Sequence, residues 1–258
     1  MPSLLRKAFA AVATLAIGFG VSAAPAHAAI TTPVPIGGGT GIIQQVKGDS
    51  SNWSGETCTL TAVGHDAAGN LVGLTNAHCF LDKAGNKLIG DKVYYDPSPP
   101  GTAASPAPKQ FDASSSFAIG PIGTVIYVST PNDYVTGGTP GLDYAVIKLN
   151  PAKVTPTATV SSPSGSTTIT SIGPVPGFGT RMCKQGHRTG LTCGATLWPD
   201  KIWYTTMIWT MAGDSGSPVV NGTTLTGSDW GGQHFTPITS ILAAMNAQGG
   251  VGAGFHLG

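Results

Sequence analysis

The sequence predicts an all-β protein, either a sandwich or a barrel, and three observations lead to this prediction. Glycine and proline occur 37 and 20 times in 258 residues, while charged residues make up only 10%. Such a turn-rich composition favours many short strands over long helices. Between the turns lie short segments that mix β-branched, aromatic and alternating apolar residues, as strands do. Hydrophobic residues make up 41% of the chain, which is enough to bury a sizeable core.

The N-terminal segment predicts export from the cytoplasm. Arg6 and Lys7 precede an apolar run over 8–24, and Ala26-His27-Ala28 has the small-x-small pattern that a signal peptidase accepts. We therefore predict a signal peptide over 1–28. A retained membrane anchor is the weaker alternative, because glycine and proline interrupt the run and it is short for a bilayer span.

The remaining chain is predicted to form one domain with two strand-rich halves. A short linker or pro-segment over 29–48 precedes the domain, which covers 49–258. Its N-terminal half covers about 49–150, a polar crossover rich in Ser, Thr and Pro covers about 151–167, and its C-terminal half covers about 168–258. The strand candidates are 58–63, 71–75, 92–95, 124–128, 144–149, 195–197, 203–209, 218–220 and 224–226. One short helix is predicted over 237–247 and ends at Gly249, because apolar residues recur there at helical spacing.

The four cysteines, Cys58, Cys79, Cys183 and Cys193, are predicted to form disulfides. An even number of cysteines in an exported protein is more often paired than free, and three pairings are possible. The sequential pairs close the shorter loops, with separations of 79 − 58 = 21 and 193 − 183 = 10 residues. Each of these disulfides would stabilise the fold by about 3 kcal/mol in the chain-entropy model. A zinc site is disfavoured, since the sequence lacks a C-x-x-C pair, and we predict no metal.

The balance of charge argues against two classes of partner. Thirteen Lys and Arg residues stand against 12 Asp and Glu residues, which gives a net charge of +1. Such a chain has no electrostatic reason to bind nucleic acid or an anionic membrane surface. No second long apolar segment follows the first, so we expect no membrane segment in the mature chain.

A serine between glycines, within 213–216, is the candidate nucleophile. A tight turn there exposes the hydroxyl and leaves backbone N–H groups to face a reacting carbonyl oxygen. The hydroxyl needs a base and a group that fixes the tautomer of the base, and His78 and Asp143 are available in the order His, Asp, Ser. Each of the three residues alone is more often structural. Their order and their separations of 143 − 78 = 65 and 215 − 143 = 72 favour a joint role.

These motifs resemble those of the chymotrypsin-like serine peptidases, especially the bacterial branch that contains streptogrisins and alpha-lytic protease. The segment 179–194 is similar to the cysteine-bounded hairpin of that branch, and Phe235-Thr236-Pro237-Ile238-Thr239 is similar to the start of its closing helix. The resemblance covers roughly residue 50 to the C-terminus. It implies two antiparallel six-stranded β-barrels with the active site in the cleft between them, followed by a short C-terminal helix.

The resemblance also implies a secreted serine endopeptidase that hydrolyses peptide bonds through an acyl-enzyme. His78 would accept the Ser215 proton, Asp143 would orient the imidazole, and the N–H groups of Gly213 and Ser215 would form the oxyanion hole. The residues expected to bind substrate are Trp209, Ser228, Trp230 and Gly231. Arg181 is the expected partner of Asp214, and Ser228 is expected to support Asp143. We predict a polypeptide substrate, no cofactor, and a monomer in the extracellular space of a bacterium.

Three further expectations concern specificity and the alternatives to a peptidase. Trp209 takes the position where basic-specific relatives carry an acid, and with Met211 it would form or fill a small apolar pocket, so we expect a small or apolar substrate side chain there. His65, His187, His234 and His256 are expected at the surface or in loops. A barrel without useful turnover that acts as a secreted binding protein is the main alternative, because Ser217 replaces a glycine usual in the family. An esterase or lipase of another fold is disfavoured by the absence of G-x-S-x-G.

Overall fold

The computed structural model describes residues 32–49, 52–101, 113–131, 141–200 and 202–258, so the predicted signal peptide over 1–28 lies outside the described residues. The first nine strands are β1 (Val34–Ile36), β2 (Gly41–Asp49), β3 (Asn52–Thr59), β4 (Ala62–His65), β5 (Leu71–Thr75), β6 (Lys92–Tyr95), β7 (Gly123–Val128), β8 (Ala145–Leu149) and β9 (Val154–Pro156). The strands that follow are β10 (Thr159–Ser162), β11 (Gly165–Thr168), β12 (Ser171–Ile172), β13 (Arg181–Gly186), β14 (Gly190–Asp200), β15 (Trp203–Thr206), β16 (Pro218–Asn221), β17 (Thr224–Gly231), β18 (His234–Pro237) and β19 (His256–Leu257). The helices are α1 (Ala113–Ile119) and α2 (Ile238–Gln248), and a 3₁₀ turn covers Ala77–Phe80.

Six strands of the C-terminal half close into a barrel. The hydrogen-bonded order is β17-β16-β13-β14-β15-β18, and β18 pairs back onto β17. The neighbours in this barrel are antiparallel, and β12 joins β17 outside it as a parallel strand. Apolar side chains such as Met182, Val219 and Phe235 are buried together there. The predicted six-stranded barrel is therefore confirmed in this half.

The N-terminal half is an eight-stranded sheet with the order β19-β4-β5-β8-β7-β6-β2-β3. Its strands are antiparallel, and the short C-terminal strand β19 pairs with β4. Buried apolar residues of β2, β5, β7 and β8 form its core, as the alternation in these strands predicts. The all-β prediction is confirmed, and this half contains more paired strands than the six that the resemblance implies.

The range 29–48, predicted as a linker or pro-segment, contains strands that pair with the rest of the chain, and the domain boundary at 49 stays a prediction. Strands β1 and β2 lie within it, and Ile36, Ile42 and Ile43 are buried. β1 pairs in parallel with β9, which falls in the predicted crossover, and β10 and β11 form a hairpin there. The glycines around the isoleucines concealed the strand pattern in the sequence. Edge pairing and burial of three isoleucines stabilise this segment as part of the domain.

The C-terminal helix agrees with the prediction to within one residue. It covers Ile238–Gln248, and Ile238, Ile241 and Met245 are buried against the core. Gly249 ends the helix with a φ of 72°, a conformation that glycine adopts without strain. Helix α1 was not predicted, because its serine-rich sequence has little helix propensity. In the part of the chain that the structure describes, no helix has the length and apolar character needed to cross a membrane.

Candidate active site

The histidine and aspartate of the predicted triad are in direct contact. His78 lies in the 3₁₀ turn after β5, and Asp143 precedes β8, which pairs with β5. The His78 Nδ1 lies 2.5 Å from Asp143 Oδ2, and the His78 backbone N–H donates to Asp143 Oδ1 at 2.9 Å. The Asp143 side chain is fully buried, while 37% of the His78 side chain is exposed. One carboxylate therefore fixes both the ring and the backbone of the histidine, with the other ring nitrogen turned away from the acid.

The electrostatics of this pair favour a protonated histidine. Burial by itself lowers the pKa of His78, but the charge of Asp143 and its hydrogen bond outweigh burial, and the charge of Asp229 acts in the same direction. The pKa of His78 therefore lies above its ordinary value. An imidazole with this surrounding accepts a proton readily at near-neutral pH.

The predicted nucleophile, Ser215, lines a cavity of about 600 Å³ together with His78. The cavity runs along the Cys58–Cys79 disulfide, and Arg188 and Gly213 contribute to its wall. Within the described residues no hydrogen bond joins the Ser215 hydroxyl to the His78 ring. Such bonds are often long in substrate-free enzymes and tighten when substrate binds.

The backbone around Ser215 has the geometry of an anion-binding turn. Gly213 has a φ of 98° and Gly216 a φ of 87°, values in the left-handed region where a side chain is strained. A Cβ at Gly216 would also lie 2.2 Å from the Thr59 carbonyl oxygen. Among the described residues, neither the Gly213 N–H nor the Ser215 N–H has a hydrogen-bond acceptor. The role of these two donors as an oxyanion hole stays a prediction.

Thr59 at the end of β3 connects the nucleophile loop to the N-terminal half. Its backbone N–H donates to the Ser215 carbonyl at 2.8 Å, and its hydroxyl donates to the Gly213 carbonyl at 2.9 Å. The same hydroxyl accepts the His187 backbone N–H at 3.1 Å. Thr59 is completely buried, so water does not compete for these bonds. No sequence motif singled out this residue, because these three partners, His187, Gly213 and Ser215, are at least 128 positions away.

Asp214 pairs with Lys184, which corrects the expectation that Arg181 is its partner. The Lys184 ammonium lies 3.0 Å from Asp214 Oδ2, and both side chains are fully buried. Arg181 is exposed, because it lies on the opposite face of β13 from Lys184. The alternation of Met182 and Lys184 along β13 is the sequence signal that would have placed the lysine inside.

The Ser228 hydroxyl bonds to side chains other than Asp143. Its hydroxyl is completely buried and lies 2.9 Å from Thr61 Oγ1 and 2.8 Å from Asn76 Oδ1. Both partners are side chains of the N-terminal half other than Asp143, and a role of Ser228 in substrate binding stays a prediction. A bulge between Asp229 and Gly231 shifts the register of β17 at this point. The bulge follows Asp229, which still pairs with Phe235, so its unpaired residue is Trp230.

The other predicted substrate-binding residues lie near the bulge and the nucleophile loop. Trp230 stacks on the buried Trp203 with ring centroids 5.2 Å apart, and Gly231 lies at the bulge with a φ of 113°. Trp209 is 58% exposed, and its carbonyl accepts the Thr192 hydroxyl. The roles of these three residues in substrate binding stay predictions.

His187 lies in the turn between β13 and β14, in agreement with the expectation of a surface or loop position, but its side chain is buried. Its Nε2 lies 2.7 Å from Asp96 Oδ2, and only 2% of its side chain is exposed. Burial raises the pKa of Asp96, but the hydrogen bond and charge of His187 and two bonds from Ser98 outweigh burial, so that its pKa lies below the ordinary value. This pair joins the turn between β13 and β14 to the end of β6.

Both predicted disulfides are present. Cys58 pairs with Cys79 beside the histidine turn, and Cys183 pairs with Cys193 across β13 and β14. The first disulfide holds His78 next to the end of β3. The second tightens the hairpin that carries Lys184.

Fold and site together define a chymotrypsin-like β protein in which a histidine, an aspartate and a serine lie at one cleft. The chain belongs to the trypsin-like peptidase domain family, whose family model matches residues 57–225. No curated protein sequence matches the chain significantly.

Three bacterial proteases of known structure illustrate the likeness in fold. The Nocardiopsis protease NAPase is 18% identical, with a TM-score of 0.56 over 83% of this chain and 97% of its own. Thermobifida fusca protease A is 19% identical, with a TM-score of 0.55 over 82% and 96%, respectively. The Cellulomonas bogoriensis chymotrypsin is 20% identical, with a TM-score of 0.50 over 82% and 96%. At this identity they establish the fold, which is the one that the sequence motifs predict.

Proposed function

We propose that this protein is a secreted serine endopeptidase that hydrolyses peptide bonds through an acyl-enzyme on Ser215. One observation carries the proposal: His78, bound at 2.5 Å to a fully buried aspartate, opens onto the same cavity as Ser215. A base held by a buried acid beside a serine hydroxyl is the arrangement that acyl transfer requires. Membership of a peptidase family agrees with it.

The proposed mechanism gives His78, Asp143 and Ser215 the roles of base, orienting acid and nucleophile. The Ser215 oxygen attacks the scissile carbonyl carbon while His78 takes the hydroxyl proton. The carbonyl oxygen becomes an oxyanion that accepts hydrogen bonds from the N–H groups of Gly213 and Ser215. His78 then returns the proton to the leaving amine as the C–N bond breaks. A water molecule repeats the sequence on the ester and releases the acid. Asp143 stays ionised and stabilises the imidazolium.

Covalent labelling tests this function without knowledge of the natural substrate. We expect a fluorophosphonate probe to label the mature protein stoichiometrically on Ser215 and to abolish casein hydrolysis. Ser215→Ala should lose the labelling and reduce turnover by a factor on the order of 10⁶. Ser54→Ala, which removes an exposed hydroxyl on β3, is the matched control and should label like the parent. Absence of labelling in the folded parent would instead favour the binding-protein alternative.

The proposed site of action is the extracellular space of a bacterium, with a single chain as the active unit. The two disulfides support the extracellular location, because disulfides persist in oxidising compartments. Expression of the full chain in a bacterial host should release a processed protein that begins after Ala28, which N-terminal sequencing would identify. Recovery of an unprocessed chain in the cytoplasm would contradict this part of the proposal.

A further inference from the structure

Asp229 is a buried carboxylate without a bonded cation. Only 4% of the residue is exposed. Its Oδ2 accepts the Thr210 hydroxyl at 2.6 Å, and its Oδ1 accepts the Gly231 N–H at 3.3 Å. Across the described residues, none of the ion pairs involves this carboxylate. A buried charge in this condition is costly unless a cation completes the site.

The charges that surround Asp229 leave one negative charge uncompensated. Lys184 on β13 is the cation that acts on it, but the ammonium is bonded to Asp214 at 3.0 Å and to the Thr189 hydroxyl at 2.6 Å. Asp214 lies in the nucleophile loop and repels Asp229. The charge of Asp229 also acts on His78, but the His78 ring is bonded to Asp143. Two buried carboxylates, Asp214 and Asp229, therefore share a single buried lysine.

The uncompensated negative charge favours the protonated form of Asp229. Burial raises the pKa of Asp229 to about 6, and the charge of Asp214 adds to the rise, while Lys184 and the bonds from Thr210 and Gly231 oppose it. Above this pH the carboxylate is ionised at a free-energy cost that a cation beside it would remove.

Asp229 is also in direct contact with the nucleophile loop. Its carbonyl accepts the Gly216 N–H at 2.9 Å, and its own N–H donates to the Ser217 carbonyl at 2.8 Å. Thr210, which holds the carboxylate, lies five positions before Ser215 on the segment that leads to it. None of the described residues that line the 600 Å³ cavity comes from 209–211 or 229–231. Asp229 and Thr210 therefore lie beside the nucleophile loop, outside the set of residues that line that cavity.

We propose that Asp229 determines specificity by binding the cationic side chain of a lysine or arginine that contributes the scissile carbonyl. The proposal rests on the proposed peptidase function and names its substrate class. Thr210 would bind the same side chain through its hydroxyl, and Trp230 would flank it. This differs from the expectation of a small or apolar side chain, which came from Trp209 and Met211. Trp209 is more than half exposed, while Asp229 lies on β17, next to its bulge.

Binding of an amidinium tests the site without requiring turnover. In Ser215→Ala protein we expect benzamidine to bind at least about tenfold more tightly than its neutral analogue benzamide, measured by calorimetry at pH 8. The additional change Asp229→Asn should abolish this discrimination. Asp82→Asn, the same change in an exposed turn, should preserve it. Equal affinity for the two compounds, or discrimination that survives Asp229→Asn, would overturn the proposal.

Turnover provides a second measurement that needs no variant of Asp229. We compare kcat/KM for matched peptides that end in arginine or in its neutral analogue citrulline. Both substrates use His78 as the base, so the effect of His78 ionisation is the same for both and disappears from the ratio. We expect a ratio on the order of 100 at pH 8 that falls as the pH drops through about 6. A ratio near one in protein that a fluorophosphonate labels on Ser215 would refute the specificity while leaving the peptidase function intact. Failure to label would refute the peptidase function, and the benzamidine result would still decide the cation site.

Discussion

The buried ion pair beneath the nucleophile loop makes a sharp prediction about stability. Lys184→Met keeps the length and apolar stem of the side chain but removes the ammonium that lies 3.0 Å from Asp214. Both side chains are fully buried, and loss of one partner of such a pair costs about 3–5 kcal/mol because a carboxylate is left uncompensated. Asp214 keeps other donors, from the backbone of Arg188, Thr189 and Met211 and from the Thr189 hydroxyl. These bonds place the expected loss near the lower limit, at about 3 kcal/mol.

Urea unfolding with intact disulfides measures this loss, and a matched variant controls it. Arg181→Met makes a comparable change three positions earlier on the exposed face of β13, and we expect the free energy of unfolding to change by less than about 0.5 kcal/mol. The slope of free energy against urea should stay constant, so that a shift in midpoint reports stability. If Lys184→Met unfolds within about 1 kcal/mol of the parent, or Arg181→Met is equally damaging, the assignment of the buried partner is refuted.

Three other perturbations follow from the contacts around the cleft. The pKa of His78 is raised, and His78 must be neutral to act as the base, so kcat/KM should fall as the pH drops through a midpoint above about 6.5. Asp143→Asn should lower both this midpoint and kcat. Asp96 has a lowered pKa, so its pairing with His187 stabilises the fold above about pH 3.9, and this stabilisation is lost as the pH falls through the pKa of the folded state. Asp96→Asn should therefore reduce the free energy of unfolding at pH 7 and make its decrease in acid less steep, as followed by circular dichroism. Thr59→Val should lower kcat more than it raises KM, and Thr59→Ser should restore kcat, whereas equal effects of both variants would argue against a positioning hydroxyl.

The proposed specificity depends on Asp229, a residue that no sequence motif singled out. A family pattern places the discriminating acid at one position before the nucleophile, and that position is Trp209. Ser228 and Asp229 pair regularly with Thr236 and Phe235 on β18, and the bulge at Trp230 comes after them. The Ser228 hydroxyl bonds to Asn76 and the Asp229 carboxylate bonds to Thr210, and both contacts join residues that are far apart in the sequence.

Local patterns in the sequence were sufficient for the fold class and for the elements with strong signals. Strand β5 and helix α2 were predicted closely, because alternation and helical spacing are properties of neighbouring residues. The same holds for the glycines around Ser215, since the turn itself requires them. The sequential disulfide pairs followed from loop length.

Only the tertiary structure decided the contacts between distant parts of the chain. The pairing of Lys184 with Asp214, the bonds of Thr59 to the nucleophile loop and the bond of Asp229 to Thr210 all join residues at least 19 positions apart. Strands β1 and β2 were likewise recognisable only through their partners. Electrostatic and hydrogen-bond energies depend on distances in space, and separation along the chain does not determine those distances until the two halves have packed together.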